Sequence, residues 1–199
     1  MANNCKIFTP IEYVKELLDV IGYKDQLYGK SILENSCGDG KILIEVVRRY
    51  ITFCQSVSMD DEEIKQDLEK DICGIELEHA NVIQCKTNLD ILAKEFGIKE
   101  VSWNIIEGDY LRMQCDRGFH FVIGNPPYIV YRDIEEDRTY LKNNFVSCKD
   151  GKFDYYYAFI EKSIMELEEN GRMAYIIPYS IYKNVFAENL REYIKAYIT

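Results

Sequence analysis

Short apolar runs alternate along the chain with longer stretches in which apolar residues return every three or four positions. That alternation predicts strands interleaved with amphipathic helices. The runs that read as strands cover residues 31–34, 72–76, 101–106, 119–123 and 173–177. One helical stripe is Ile11, Val14, Leu17, Leu18 and Ile21; the next is Ile42, Val46, Val47, Tyr50 and Cys54. A third is Val82, Ile83, Leu89, Leu92, Ala93 and Phe96. These predict helices over residues 9–22, 42–57 and 79–96. Thr9-Pro10-Ile11-Glu12 offers a capping box with proline in the first turn, and Gly22 offers a stop. Two further helices are expected over residues 154–169, ended by Asn170-Gly171, and over residues 182–198. Strand and helix in turn imply an α/β fold with a parallel sheet and right-handed crossovers. The charged stretch 59–71 reads as a solvated insertion, one more helix that is acidic at its start. Residues 129–151 carry mixed charge and no period. A loop of that length inside a domain is functional or mobile, and this one reads as a lid.

Composition narrows the class. The 199 residues make one domain or part of one. A net charge of −10 runs against a chain that grips nucleic acid alone. The seven cysteines include no C-x-x-C pair, and with two histidines a zinc or other metal site is not expected. Cysteines inside apolar runs fit a reducing, cytoplasmic setting. No signal peptide and no bilayer-length apolar run is present, so no membrane partner is expected.

Four places carry candidate chemistry. Glu34 ends the first strand, and Cys37-Gly38-Asp39-Gly40 turns the chain into a helix. Strand, glycine turn and helix form a nucleotide-binding arrangement, in which Gly38 and Gly40 allow positive φ and close backbone approach. It is not G-x-G-x-x-G and no Lys-Ser/Thr follows, which disfavours phosphate. Glu76 ends the second strand, where an acid accepts hydrogen bonds from ribose hydroxyls. Its distance from the glycine turn exceeds the usual spacing by about the length of the charged insertion. Gly108-Asp109 follows the third strand, and Gly124-Asn125-Pro126-Pro127-Tyr128 follows the fourth. Two prolines end that strand abruptly, and Pro126 holds Asn125 extended. The result is a rigid polar-then-aromatic corner where open α/β sheets bind ligands. Each of these features is also an ordinary turn or strand end when taken alone.

Together they resemble a family. Asn-Pro-Pro-Tyr after an apolar strand is similar to the catalytic motif of amino-methyltransferases that use S-adenosylmethionine. The Asn form is typical of DNA adenine-N6 methyltransferases of restriction–modification systems. Glu34-Asn35-Ser36-Cys37-Gly38-Asp39-Gly40 resembles that family's cofactor loop, with Asn-Ser where Pro-Ala is common, a departure that bears on the loop's rigidity. Phe8-Thr9-Pro10 resembles its N-terminal cofactor motif, and Gly108-Asp109 the position whose Asp meets the cofactor's adenine amino group. The resemblance implies a Rossmann-like class I methyltransferase sheet with helices on both faces. It implies S-adenosylmethionine held by Phe8, Thr9, Pro10, Glu34, Cys37, Gly38, Gly40, Glu76, Asp109 and Asn125. It assigns chemistry to Asn125, Pro126, Pro127 and Tyr128, acting on a flipped adenine in duplex DNA. The family adds two more strands, a second stacking aromatic and a target-recognition domain, none of them present in residues 1–199. The expectation is therefore a fragment truncated on its C-terminal side, leaving the fifth strand as an edge and depending on a restriction or specificity subunit or domain beyond residue 199. Protein-glutamine and RNA amino-methyltransferases share a similar corner, and a non-catalytic cofactor- or DNA-binding subunit is a further alternative.

Overall fold

The computed structural model describes residues 9–197. Five strands, β1 (Ile32–Glu34), β2 (Ile72–Glu76), β3 (Asn104–Glu107), β4 (Phe119–Gly124) and β5 (Leu167–Tyr175), form one sheet in the order β3-β2-β1-β4-β5. Every pairing is parallel. The strand order reverses at β1, so the crevice beyond β1 and β4 is the topological switch point.

Helices cover both faces. One face presents Ile32, Ile72, Ile105 and Ile123 to α1 (Ile11–Val20), α2 (Lys41–Ser56), α3 (Asp61–Asp71) and α4 (His79–Glu95). The other presents Leu33, Cys73 and Val122 to α5 (Arg138–Asn144), α6 (Tyr156–Met165) and α7 (Glu188–Lys195). Neighbouring residues of β1 and of β2 thus feed opposite cores, as the period of two in a strand requires. The central strands read as unbroken apolar runs because both faces are buried.

Several elements depart from the sequence reading. Helix α1 has no side-chain cap. Thr9 Oγ1 instead accepts a hydrogen bond from Asn125 Nδ2 at 3.2 Å. The charged insertion is not merely solvated. Asp60 and Glu63 close a capping box on α3, and Ile64 and Leu68 are buried in the core. The helix ending near residue 169 stops at Met165, and β5 begins at Leu167. Asn170-Gly171 lies within β5, where the register against β4 shifts between Phe119 and Phe121. Asn170 takes φ +64° there. Residues 129–151 are a packed segment with a 3-10 turn at Tyr131–Asp133, helix α5 and a second 3-10 turn at Val146–Cys148. Ile134, Leu141, Phe145 and Cys148 bury the apolar side of that segment. The expected last helix is two 3-10 turns followed by the shorter α7. Among the described residues no helix is long and apolar enough to cross a membrane, and no cluster of three potential metal ligands occurs.

Candidate functional site

The carboxyl ends of β1, β2, β3 and β4 bring the four candidate places to one rim of the sheet. The register sets Glu34 beside Gly74 and Ile123, Glu76 beside Glu107, and Gly124 beside Tyr175.

After β1 the chain makes a tight turn, closed by Gly40 N–H donating to the Cys37 carbonyl at 2.8 Å. Gly38 and Gly40 take φ +53° and +85°, and Gly40 caps α2. A Cβ on Gly40 would lie 2.6 Å from Cys85 Sγ, so α4 packs directly against the turn. The Cys37 thiol is buried and hydrogen-bonded to Cys85, which raises its pKa well above the ordinary thiol value, with burial adding to the shift.

Glu76 holds this turn in place. One carboxylate oxygen accepts from Gly38 N–H at 2.8 Å. The other accepts from Glu78 N–H at 2.9 Å and Asn81 Nδ2 at 3.2 Å. Next to it Leu77 stands 68% exposed. Glu34 faces the interior at 2% exposure, and its Oε2 has no hydrogen-bond partner. Burial raises its pKa well above the usual carboxylate value; the nearby Cys85, Glu76 and Asp39 raise it further, and a hydrogen bond with the Leu43 backbone opposes them. A buried acid with one orphaned oxygen is costly unless a cationic or donor group reaches it.

Asp109 caps the 3-10 turn Tyr110–Arg112 by accepting from Leu111 N–H at 3.0 Å. Its second oxygen pairs with Arg112 Nε at 3.1 Å. The same guanidinium reaches Asp137 at 2.5 Å and lies 4.1 Å over the Tyr140 ring. The wall that carries Asp109 is therefore tied to the start of α5.

At the corner, Pro126 is buried and Asn125, Pro127 and Tyr128 are half-buried. Asn125 donates to Thr9, and its Oδ1 lies in hydrogen-bond reach of the Tyr128 hydroxyl. That hydroxyl also lies 2.5 Å from the Ile176 carbonyl. Its one proton serves one of the two acceptors at a time. Burial pushes the Tyr128 phenol up to about 12. Tyr156 meets the Tyr128 ring edge-on, with centroids 6.2 Å apart. Ser36 Oγ reaches the Asn125 carbonyl at 3.4 Å, joining the glycine turn to the corner.

Thr9, Cys37, Gly38, Gly40, Glu76 and the corner thus share direct or one-step contacts. Asp109 sits on the same rim, and Pro10 is exposed at the start of α1. Phe8 lies outside the described residues. Leu77, Asn81, Ser36 and Asn35 were not singled out from sequence. Only the Asn35-Ser36 departure from the family loop marked two of them.

Known proteins share the fold and the family. A putative class I S-adenosylmethionine-dependent methyltransferase from Listeria monocytogenes superposes with a TM-score of 0.67 at 14% identity, over 98% of this chain and 54% of that one. DrdV, solved in complex with DNA, gives a TM-score of 0.71 at 20% identity, over 94% of this chain and 22% of that one. The architecture is that of class I S-adenosylmethionine-dependent methyltransferases. Residues 26–199 match the Eco57I restriction-modification methylase model, and the chain belongs to that family. The type II methyltransferase M.PaeR7I of Pseudomonas aeruginosa is 28% identical over 196 residues, covering 94% of this chain and 34% of that protein. The modification methylase CviBIII of Paramecium bursaria Chlorella virus NC1A is 29% identical over 188 residues, covering 94% and 41%. The chain therefore spans about a third to two-fifths of the length of these relatives.

Proposed function

We propose that this chain is the part of a DNA methyltransferase that binds S-adenosylmethionine and directs methyl transfer to the exocyclic N6 of an adenine turned out of duplex DNA. One observation carries the reading. A rigid proline turn presents a carboxamide and a tertiary-amide carbonyl beside a glycine turn, at adjacent strand ends.

An exocyclic aromatic amine is a poor nucleophile because its lone pair is delocalised into the ring. Asn125 Oδ1 and the Pro126 carbonyl accept from its two N–H groups. That draws the nitrogen toward tetrahedral geometry and stabilises the positive charge that develops. No base is needed before attack, so orientation and electrostatics do the work. The Tyr128 contact with Asn125 Oδ1 leaves a second lone pair for the amine. Pro127 holds the turn, and the Tyr128 ring is the stacking surface for a base that has left the duplex.

The residues present fit the cofactor. The glycine turn gives close backbone approach, Glu76 is an acceptor at the strand end, and the orphaned Glu34 oxygen suits a cationic ligand. Thr9, Pro10, Glu34, Cys37, Gly38, Gly40, Glu76, Asp109 and Asn125 would hold it, with Phe8 preceding them in sequence. When bound, it supplies an electrophilic methyl group on a sulfonium. Duplex DNA is the partner, met with a restriction or specificity subunit or domain outside these residues, in the cytoplasm. The net charge of −10 supports such division of labour, because phosphate contacts dominate DNA affinity.

The test offers tritiated cofactor, duplex DNA, tRNA and rRNA, and a glutamine-bearing peptide to the full-length protein carrying this domain. Label recovered as N6-methyladenine from DNA is the expected result. Label on cytosine, RNA or peptide overturns the assignment.

A further inference from the structure

Behind the corner lies a buried polar chain that the proposed chemistry does not use. Asn35 is 2% exposed and Ser163 fully buried. Asn35 Nδ2 donates to Ser163 Oγ at 2.8 Å and to the Tyr175 hydroxyl. The Tyr175 hydroxyl and Ser163 Oγ are 2.6 Å apart. Ser163 Oγ and the Tyr110 hydroxyl are 3.0 Å apart, and Tyr110 donates to Glu166 Oε2 at 2.8 Å.

Counting protons fixes the direction of the chain. Glu166 is an acceptor, held by Lys162 Nζ at 2.7 Å. Tyr110 therefore spends its proton on Glu166 and accepts from Ser163. Ser163 then accepts from Tyr175, whose own oxygen and that of Ser163 take the two Asn35 N–H donors. Every hydroxyl proton is used, and the Asn35 carboxamide has one orientation.

The near end of this chain rests on the corner. A Cβ on Gly124 would lie 3.0 Å from Asn35 Oδ1 and 3.1 Å from Tyr175 Cε1. Both side chains thus fill the space that a side chain on the residue before Asn125 would need, and Tyr175 pairs with Gly124 in the sheet. We infer that Asn35, Ser163 and Tyr175 are positioning residues that lock the Asn125 turn to the glycine loop. Asn35 thereby does through side-chain hydrogen bonds what proline does in the common form of the loop. The role rests on the reading of Asn125 given above.

The test compares three variants of the full-length protein. Tyr175→Phe and Ser163→Ala break the chain next to the corner. Tyr110→Phe removes a matched buried hydroxyl at the far end and serves as the structural control. Three quantities are read: the single-turnover methyl-transfer rate, the cofactor dissociation constant, and backbone hydrogen exchange over residues 124–128. Positioning predicts a rate loss of about tenfold or more for Tyr175→Phe and Ser163→Ala, since small misplacements of an oriented group cost that order. It also predicts faster exchange at the corner and cofactor affinity held within about twofold. The double variant is no slower than the worse single one, because the two act as a unit. Tyr110→Phe loses stability but keeps the rate and the exchange pattern. Equal effects of Tyr110→Phe and Tyr175→Phe on rate and exchange overturn the inference. So does wild-type exchange at the corner in Tyr175→Phe. Should the parent protein methylate no DNA, the proposed function fails while the exchange arm still decides this point.

Discussion

Replacing Glu76 by Ala removes the acceptor of three hydrogen bonds, from Gly38 N–H, Glu78 N–H and Asn81 Nδ2, the last of which keeps a bond to Glu78 Oε2 at 3.2 Å. Hydrogen bonds to a charged acceptor contribute about 1.5–3 kcal/mol each when well shielded. Glu76 is only half-buried, and water replaces part of what is lost, so about 3 kcal/mol for the set is the reasonable scale. For a chain of this size that lowers the melting temperature by roughly 6–12 °C. Glu76→Gln keeps one acceptor oxygen and loses the charge, so it falls between. The same substitution removes the acceptor proposed for the cofactor's ribose, and the glycine turn loses the bond that fixes Gly38. Cofactor affinity should therefore drop tenfold or more, which is one or more charge-assisted hydrogen bonds. Thermal melts followed by circular dichroism give the first number, and calorimetry below both melting temperatures gives the second. A variant that melts within about 1 °C of the parent would falsify the clasp. Unchanged affinity, with the expected loss of stability, would leave Glu76 as a structural residue only.

Asn125→Ala should lower single-turnover methylation roughly 10²-fold with cofactor binding nearly unchanged, and Asn125→Asp should retain more because it keeps an acceptor; a parental rate for Asn125→Ala removes the proposed chemistry. Tyr128→Ala should weaken capture of the extruded base by about 1–3 kcal/mol in binding assays with an abasic-partner duplex. Tyr128→Phe should keep that capture, and equal losses would put the hydroxyl, not the ring, at the centre. Gly40→Ala meets both a left-handed φ and the Cys85 sulfur, whereas Gly38→Ala meets only the φ; the first should melt lower than the second, and the reverse order refutes the packing. Burial raises the Glu34 pKa in the folded chain, so the acid's contribution to stability is fully present below the ordinary 4.5 and falls as pH rises above it. Glu34→Gln should therefore melt increasingly above the cofactor-free parent as pH climbs from there, and a flat offset would place the orphaned acid elsewhere.

The strand–helix alternation and the strand ends were legible because both faces of the central sheet are buried. Continuous apolar runs and 3.6-residue stripes are the direct record of that burial. The rim residues were legible because the resemblance and the local chemistry coincide on Gly38, Gly40, Glu76 and Asn125. What sequence concealed depends on long-range contact. Thr9 looked like a helix cap and is drawn instead to Asn125, which lies 116 positions away. Asn170-Gly171 looked like a helix stop, but pairing with β4 carries the strand back past it. Residues 129–151 looked like an open loop because Leu141, Phe145 and Cys148 are too sparse to show a period. Their partners lie on α6 and α7, on the far side of the sheet from the first four helices.

The strand order has a consequence for how the chain is made. Strand β2 pairs with β1 and β3 with β2 within the first hundred or so residues, but β4 must come back to lie beside β1, and β5 beside β4. The hydrogen bonds that tie the corner and its support to the amino-terminal part of the chain join residues 89 to 140 positions apart. Closing such spans requires that most of the chain already be available. During synthesis from the amino end, the glycine turn and its Glu76 clasp can therefore assemble while Asn125 is still unmade. Asn125 is held from both sides only after Tyr175 has emerged. A nascent chain that has not yet reached β5 would hold the glycine turn and its Glu76 clasp while the Asn125 corner is held from one side alone.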